Sequence, residues 1–105
     1  MGGSFPFVPG YAAVFEVESI GDSVAEFQPG DLAFTMGPHR SRQRCTEGDA
    51  IRVPASLNAL DATFARMMCV SMTTLTTTTA RPPQPVLITG LGPVGHLAAL
   101  VFASV

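Results

Sequence analysis

One run of residues constrains this chain more than any other: Val86-Leu87-Ile88-Thr89-Gly90-Leu91-Gly92-Pro93-Val94-Gly95. A short apolar stretch with β-branched residues leads into G-x-G-x-x-G, and an apolar stretch of helical character follows. In that strand–turn–helix setting the three glycines have separate physical tasks. Gly90 permits a tight turn. Gly92 lets a pyrophosphate approach the backbone, and Gly95 lets the helix pack closely on the strand. The helix then presents unpaired N–H groups and its positive dipole end to the phosphates. The run predicts a strand over 86–89, a turn over 90–92 and a helix over 93–104. A dinucleotide-binding fold uses about six strands. Only ten residues follow Gly95, so the sequence reads as an internal piece of such a protein.

Composition points the same way. Of 105 residues, 47% are hydrophobic and only 13% charged, and the mean hydropathy is +0.34. Domains of ordinary composition carry about 25% charge, so this chain looks like interior that expects more protein around it. The formal charge of −2 leaves no basic footprint for nucleic acid. Arg40, Arg42 and Arg44 form a local basic cluster, read as a solvated loop. Cys45 and Cys69 make neither a disulfide framework nor a four-ligand zinc site, and free thiols fit a reducing cytoplasm. Met1 is followed by Gly-Gly-Ser-Phe-Pro, without the basic and apolar regions of a signal peptide. Residues 86–105 are long enough to span a bilayer, but Pro93 and three glycines fall in the first half of that window. It therefore reads as strand, turn and short helix, with no membrane partner.

The periodicity changes along the chain. Over residues 5–54, strand and turn signals alternate: Tyr11–Ile20, a turn at Gly21-Asp22, a type II turn at Gln28-Pro29-Gly30-Asp31, then Leu32–Thr35 and Ala50–Val53. Short strands so spaced predict a small, mainly antiparallel barrel or part of one. After Pro54, apolar residues at Ala62, Phe64, Ala65, Met68 and Cys69 predict a helix capped by Asn58 or Asp61. The threonine-rich stretch 73–79 is a poor helix former, so any helix there depends on packing. Arg81-Pro82-Pro83-Gln84-Pro85 reads as a stiff extended break. These shifts predict three segments: 1–54, 55–85 and 86–105.

In order and spacing, these segments resemble the medium-chain dehydrogenase/reductase superfamily, the zinc-type alcohol dehydrogenase relatives. The residues that carry the resemblance are Pro9-Gly10-Tyr11-Ala12-Ala13-Val14-Phe15-Glu16-Val17, Gly21, Val24, Phe27 and Gly30-Asp31, then Val53-Pro54, the threonine segment and Val86–Gly95. The resemblance covers nearly the whole chain. It implies a mixed β and α/β fold: an incomplete GroES-like β-barrel over 1–54, a connecting helix and linker, and the first strand–turn–helix of a Rossmann domain. It also implies NAD or NADP as cofactor, held through Gly90, Gly92, Pro93, Val94 and Gly95, with Thr73 approaching the nicotinamide. The implied reaction moves hydride between nicotinamide and a small alcohol, aldehyde, ketone or quinone.

The departures from the family pattern concern metal. Where the family has His-Glu after Pro-Gly, this chain has Tyr11-Ala12. A neutral phenol, with a pKa of about 10, is a poor zinc ligand. Cys69 resembles a remaining cysteine ligand, while residues 36–47 replace the four-cysteine structural zinc lobe. Together these imply a branch without the usual zinc, and the purified chain is expected to carry none in stoichiometric amount. Tyr11 is a candidate proton donor; no lysine is present to lower its pKa, so it also reads as a packed strand tyrosine. His39 and His96 read as loop and first-turn residues, and Asp31 as a turn stabiliser. Two functional readings follow. One is part of an NAD(P)-dependent oxidoreductase. The other is a non-catalytic truncated product, suggested by the missing zinc ligands and by the lack of an acidic residue after the glycines to read a ribose.

Overall fold

Three strands pair antiparallel in sequence order: β1 (Ala13–Glu16), β2 (Leu32–Thr35) and β3 (Ala50–Arg52). The computed structural model describes residues 5–81 and 83–105. Val14 lies opposite Phe34, and Phe34 opposite Ile51, so these three share one face of the sheet. β2 is the central strand. Ala33, Phe34 and Thr35 are all buried, as expected of a strand covered on both faces. Phe34, Val53 and Ala62 form the core of this first unit, with Ala12, Val14 and Leu32 packed against them. Among the described residues the sheet stops at three strands and does not close into a barrel.

The β1–β2 connection is a cluster of backbone hydrogen bonds gathered at Asp31. Asp31 N–H donates to the Gln28 carbonyl at 3.1 Å, and Gly30, at the third turn position, has φ of +93°. This is the type II turn read from Pro29-Gly30. The Asp31 carboxylate accepts from Gln28 N–H at 2.7 Å and pairs with Arg52 Nη1 at 2.6 Å. Arg52 also lies over the Phe27 ring, 5.1 Å from its centroid, and donates to the Glu26 carbonyl. One side chain thus ties the turn to the end of β3.

The Gln28 N–H and then Arg52 stabilise the charged carboxylate and hold the Asp31 pKa below its ordinary value. A carboxylate whose pKa is lower in the folded state contributes stability above its unfolded pKa of about 3.9. That contribution is lost as pH falls through the folded value. The first unit is therefore expected to weaken as pH drops below about 4. Asp31→Asn should flatten that part of the profile, which urea unfolding at a series of pH values measures.

Asn58 caps the one-turn helix α1 (Ala59–Ala62), its side chain accepting from Asp61 N–H at 2.8 Å. The periodicity predicted one helix running through residues 62–69. Instead the turn closes at Thr63, whose hydroxyl donates to the Leu60 carbonyl at 2.6 Å, and a new helix starts at Ala65. Thr63 ends the first compact unit, and Phe64 begins the second.

The second unit contains α2 (Ala65–Thr77) and α3 (Pro93–Ala103), which pack on each other. The threonine run is helical up to Thr77. Thr73, Thr74, Thr76 and Thr77 each donate their hydroxyl to a carbonyl four residues back, as does the capping Thr78. Those back-bonds satisfy the hydroxyls within the helix. α3 starts at Pro93, which suits the first helical position because its missing N–H would be unpaired there anyway. Of the proline-rich break, Pro82 lies outside the described residues, as do residues 1–4.

One expectation needs correction. Residues 86–89 form no strand. A strand exists by pairing, and among the described residues nothing offers this segment a ladder. The chain enters the glycine turn unpaired, with Leu87 89% exposed. No helix among the described residues is long and apolar enough to cross a membrane.

Candidate phosphate-binding turn and cleft

The glycine run divides its labour residue by residue. Gly90 has φ of +91°, the left-handed region that disfavours a side chain. Gly92 is the N-cap of α3, with φ of −74° and ψ of −178°, a conformation open to any residue. A Cβ built on Gly92 would meet no atom within 4 Å. Gly95 is the opposite case: a Cβ there would overlap the Gly90 carbonyl oxygen and lie 2.9 Å from its carbon. One glycine makes the turn, one faces open space, and one locks the helix onto the turn.

The first turn of α3 is suited to an anion. No side chain caps it, and the N–H groups of Val94 and Gly95, at helix positions without an intrahelical acceptor, are free to donate. The helix dipole adds partial positive charge. His96 sits in the same turn, its Nδ1 3.1 Å from the Gly92 carbonyl oxygen and its N–H donating to that oxygen at 3.0 Å. The residues present therefore fit a phosphate: open space over Gly92, donors beyond it and no competing cap.

Behind the turn lies a cleft of about 840 Å³ within the second unit, inside the usual range for small-molecule sites of about 300–1,000 Å³. Gly90, Gly92, Pro93, Val94 and Gly95 line one side. Val70, Ser71, Thr74 and Thr78 line it from α2 and its cap, and Ala98 and Phe102 from α3. None of the lining residues is charged.

Several other residues singled out in the sequence are not among those lining this cleft. Thr73 is not among its lining residues, and its hydroxyl donates to the Cys69 carbonyl at 2.7 Å. Cys69 and Cys45 are exposed free thiols. Among the described residues no three of His, Cys, Asp and Glu converge as a metal site. Tyr11 belongs to the first unit and is 66% exposed. His39 Nε2 lies 3.0 Å from the Ala12 carbonyl oxygen in that unit. Of the arginine cluster, Arg42 pairs with Glu18 at 3.1 Å on the surface.

Ser71 was not anticipated. It is 3% exposed, lines the cleft, and lies between Met67 and Leu75 on the inward stripe of α2. The signal was legible in hindsight: Met67, Ser71 and Leu75 follow an i, i+4 spacing in which Ser71 is the one polar member. Comparison with protein-family profiles, characterised proteins and solved structures finds no match.

Proposed function

We propose that this chain carries the phosphate-binding end of a nicotinamide dinucleotide site in an NAD(P)-dependent oxidoreductase of the medium-chain dehydrogenase/reductase type. The parent reaction moves hydride between nicotinamide and a small alcohol or carbonyl substrate. The supporting observation is the division of roles among the glycines. Gly90 has a positive φ, Gly92 stands beside open space, and Gly95 has no room for a Cβ. Those are the three separate demands of a backbone that turns, admits a pyrophosphate and holds its helix close. The uncapped α3 terminus supplies the donors. The sequence order from Pro9-Gly10 to Gly95 supports the family assignment.

The energetics bound what this chain does by itself. A helix terminus contributes about 0.3–1 kcal/mol per anionic charge at an exposed site. Micromolar affinity requires about 8 kcal/mol. No acidic residue follows Asp61 to hold a ribose, and no Arg or Lys lines the cleft. NADH is therefore expected to bind this chain no more tightly than a Kd in the millimolar range, which corresponds to about 4 kcal/mol.

Titration of NADH and of inorganic pyrophosphate into ¹⁵N-labelled protein tests the reading. Both ligands should move the amide signals of Gly92, Val94 and Gly95. Gly92→Val should abolish those movements. The fold should survive, because the backbone angles at residue 92 suit valine and the new side chain enters open space. Movements that persist undiminished in Gly92→Val, or that map to another surface, would overturn the assignment.

A further inference from the structure

Two hydroxyls that line the cleft, those of Ser71 and Thr89, are not used by the fold; Thr89 is exposed and Ser71 is buried. Every threonine of α2, and Thr78 at its cap, donates its hydroxyl to a main-chain carbonyl. Ser71 sits on the same helix, is the most buried of them at 3% exposed, and makes no such hydrogen bond. Serine readily back-bonds in a helix as these threonines do. Ser71 lines the same cleft as Gly92, Val94 and Gly95.

The cleft lining also restricts what enters. With no charged residue along it, a charged group placed there would lose its hydration without compensation. A phosphate belongs at the α3 terminus, where donors face it. The part reaching Ser71 must be uncharged, largely apolar and equipped with one hydrogen-bonding group. We infer that Ser71 is a ligand-binding residue whose hydroxyl hydrogen-bonds the uncharged base of a nucleotide whose phosphate sits at Gly92–Gly95. This rests on the dinucleotide reading above and adds to it a residue that reads the base. Adenine and dihydronicotinamide share the required chemistry, being planar, neutral and amide- or amine-bearing. The oxidised nicotinamide ring is cationic and fits this lining poorly.

A purely structural role for Ser71, as a small spacer between α2 and α3, makes a different prediction, because alanine would serve equally. The experiment compares wild type with Ser71→Ala by the same amide-signal titrations. The probes are inorganic pyrophosphate, NADH, ADP-ribose and reduced nicotinamide mononucleotide. Ser71→Ala should keep or raise the thermal midpoint, since no bond is lost and alanine is the better helix former. It should leave the pyrophosphate Kd unchanged and weaken NADH roughly three- to tenfold, the range of one net hydrogen bond. ADP-ribose weakened alone assigns the base to adenine; the reduced mononucleotide weakened alone assigns it to dihydronicotinamide. Equal affinities of Ser71→Ala and wild type for all the nucleotides, with the pyrophosphate response intact, would overturn the role of Ser71 and leave the phosphate site standing. No response to pyrophosphate or NADH in the wild type would overturn both.

Discussion

Gly95→Ala is expected to unfold the second unit at markedly lower temperature, although alanine is the better residue in a helix. The gain in helix propensity is about 1 kcal/mol. Against it stands a Cβ that overlaps the Gly90 carbonyl oxygen and comes within 2.9 Å of the carbonyl carbon. Both obstructing atoms are main chain, so no rotamer change relieves them. Either α3 lifts off the turn or the left-handed Gly90 is dislodged. Overpacking costs about 1–3 kcal/mol, and a clash against backbone belongs at the upper end, leaving a net loss of about 2 kcal/mol. The second unit has little in reserve: Ser71, Leu75 and Val101 are its buried residues among those described. Thermal unfolding by far-ultraviolet circular dichroism should show an early loss of helix. Gly92→Val places its Cβ in open space and should cost less than Gly95→Ala, its loss confined to the poorer N-cap that valine makes. Coincident curves for Gly95→Ala and wild type would show that the Gly90–Gly95 contact does not hold the turn.

Phe34→Ala is expected to have the largest effect in the molecule, a loss of about 3–5 kcal/mol from the first unit, as is typical of a buried phenylalanine. Phe34 lies on the central strand, faces Val14 across one ladder, and packs with Val53 and Ala62. Its removal leaves a void where sheet and α1 meet. Ile51 is a control at the same register position. It lies opposite Phe34 but is 64% exposed, so Ile51→Ala should fall within about 0.5 kcal/mol of wild type. Urea unfolding of the two variants, followed by dispersion of the amide proton signals, separates them. Similar losses for both would mean that the sheet face is buried differently from this arrangement. Neither Phe34 nor Ile51 is among the residues lining the glycine cleft.

Elements governed by local chemistry were legible in the sequence. Pro29-Gly30 specified a type II turn because proline sets one φ and glycine accepts the positive φ that follows. Leu32–Thr35 was readable to the residue as a short apolar strand. Asn58 and Asp61 were both readable as caps, and the structure selects Asn58; Pro93 begins α3, where its missing donor costs nothing. The three glycines could be given distinct tasks from their spacing alone, because each task is a property of backbone within a few residues.

Features that depend on partners were not legible. Val86–Thr89 has strand composition, yet no strand forms, because a ladder needs a neighbour that composition cannot supply. The helix pattern over 62–69 hid a break, since the hydroxyl of Thr63 could close one turn and end α1 there. Thr73 looked like the polar residue of α2 to watch, while packing placed Ser71 in the cleft instead. Which hydroxyl is spent on its own helix and which is left facing a cleft is decided by the rotation of α2 against α3, a tertiary quantity. Sequence by itself determined the turns, the caps and the form of the glycine run. Only the tertiary structure decided that Gly92 stands in open space, that Gly95 has none, and that a buried serine lies behind them, because each depends on atoms brought together across the chain.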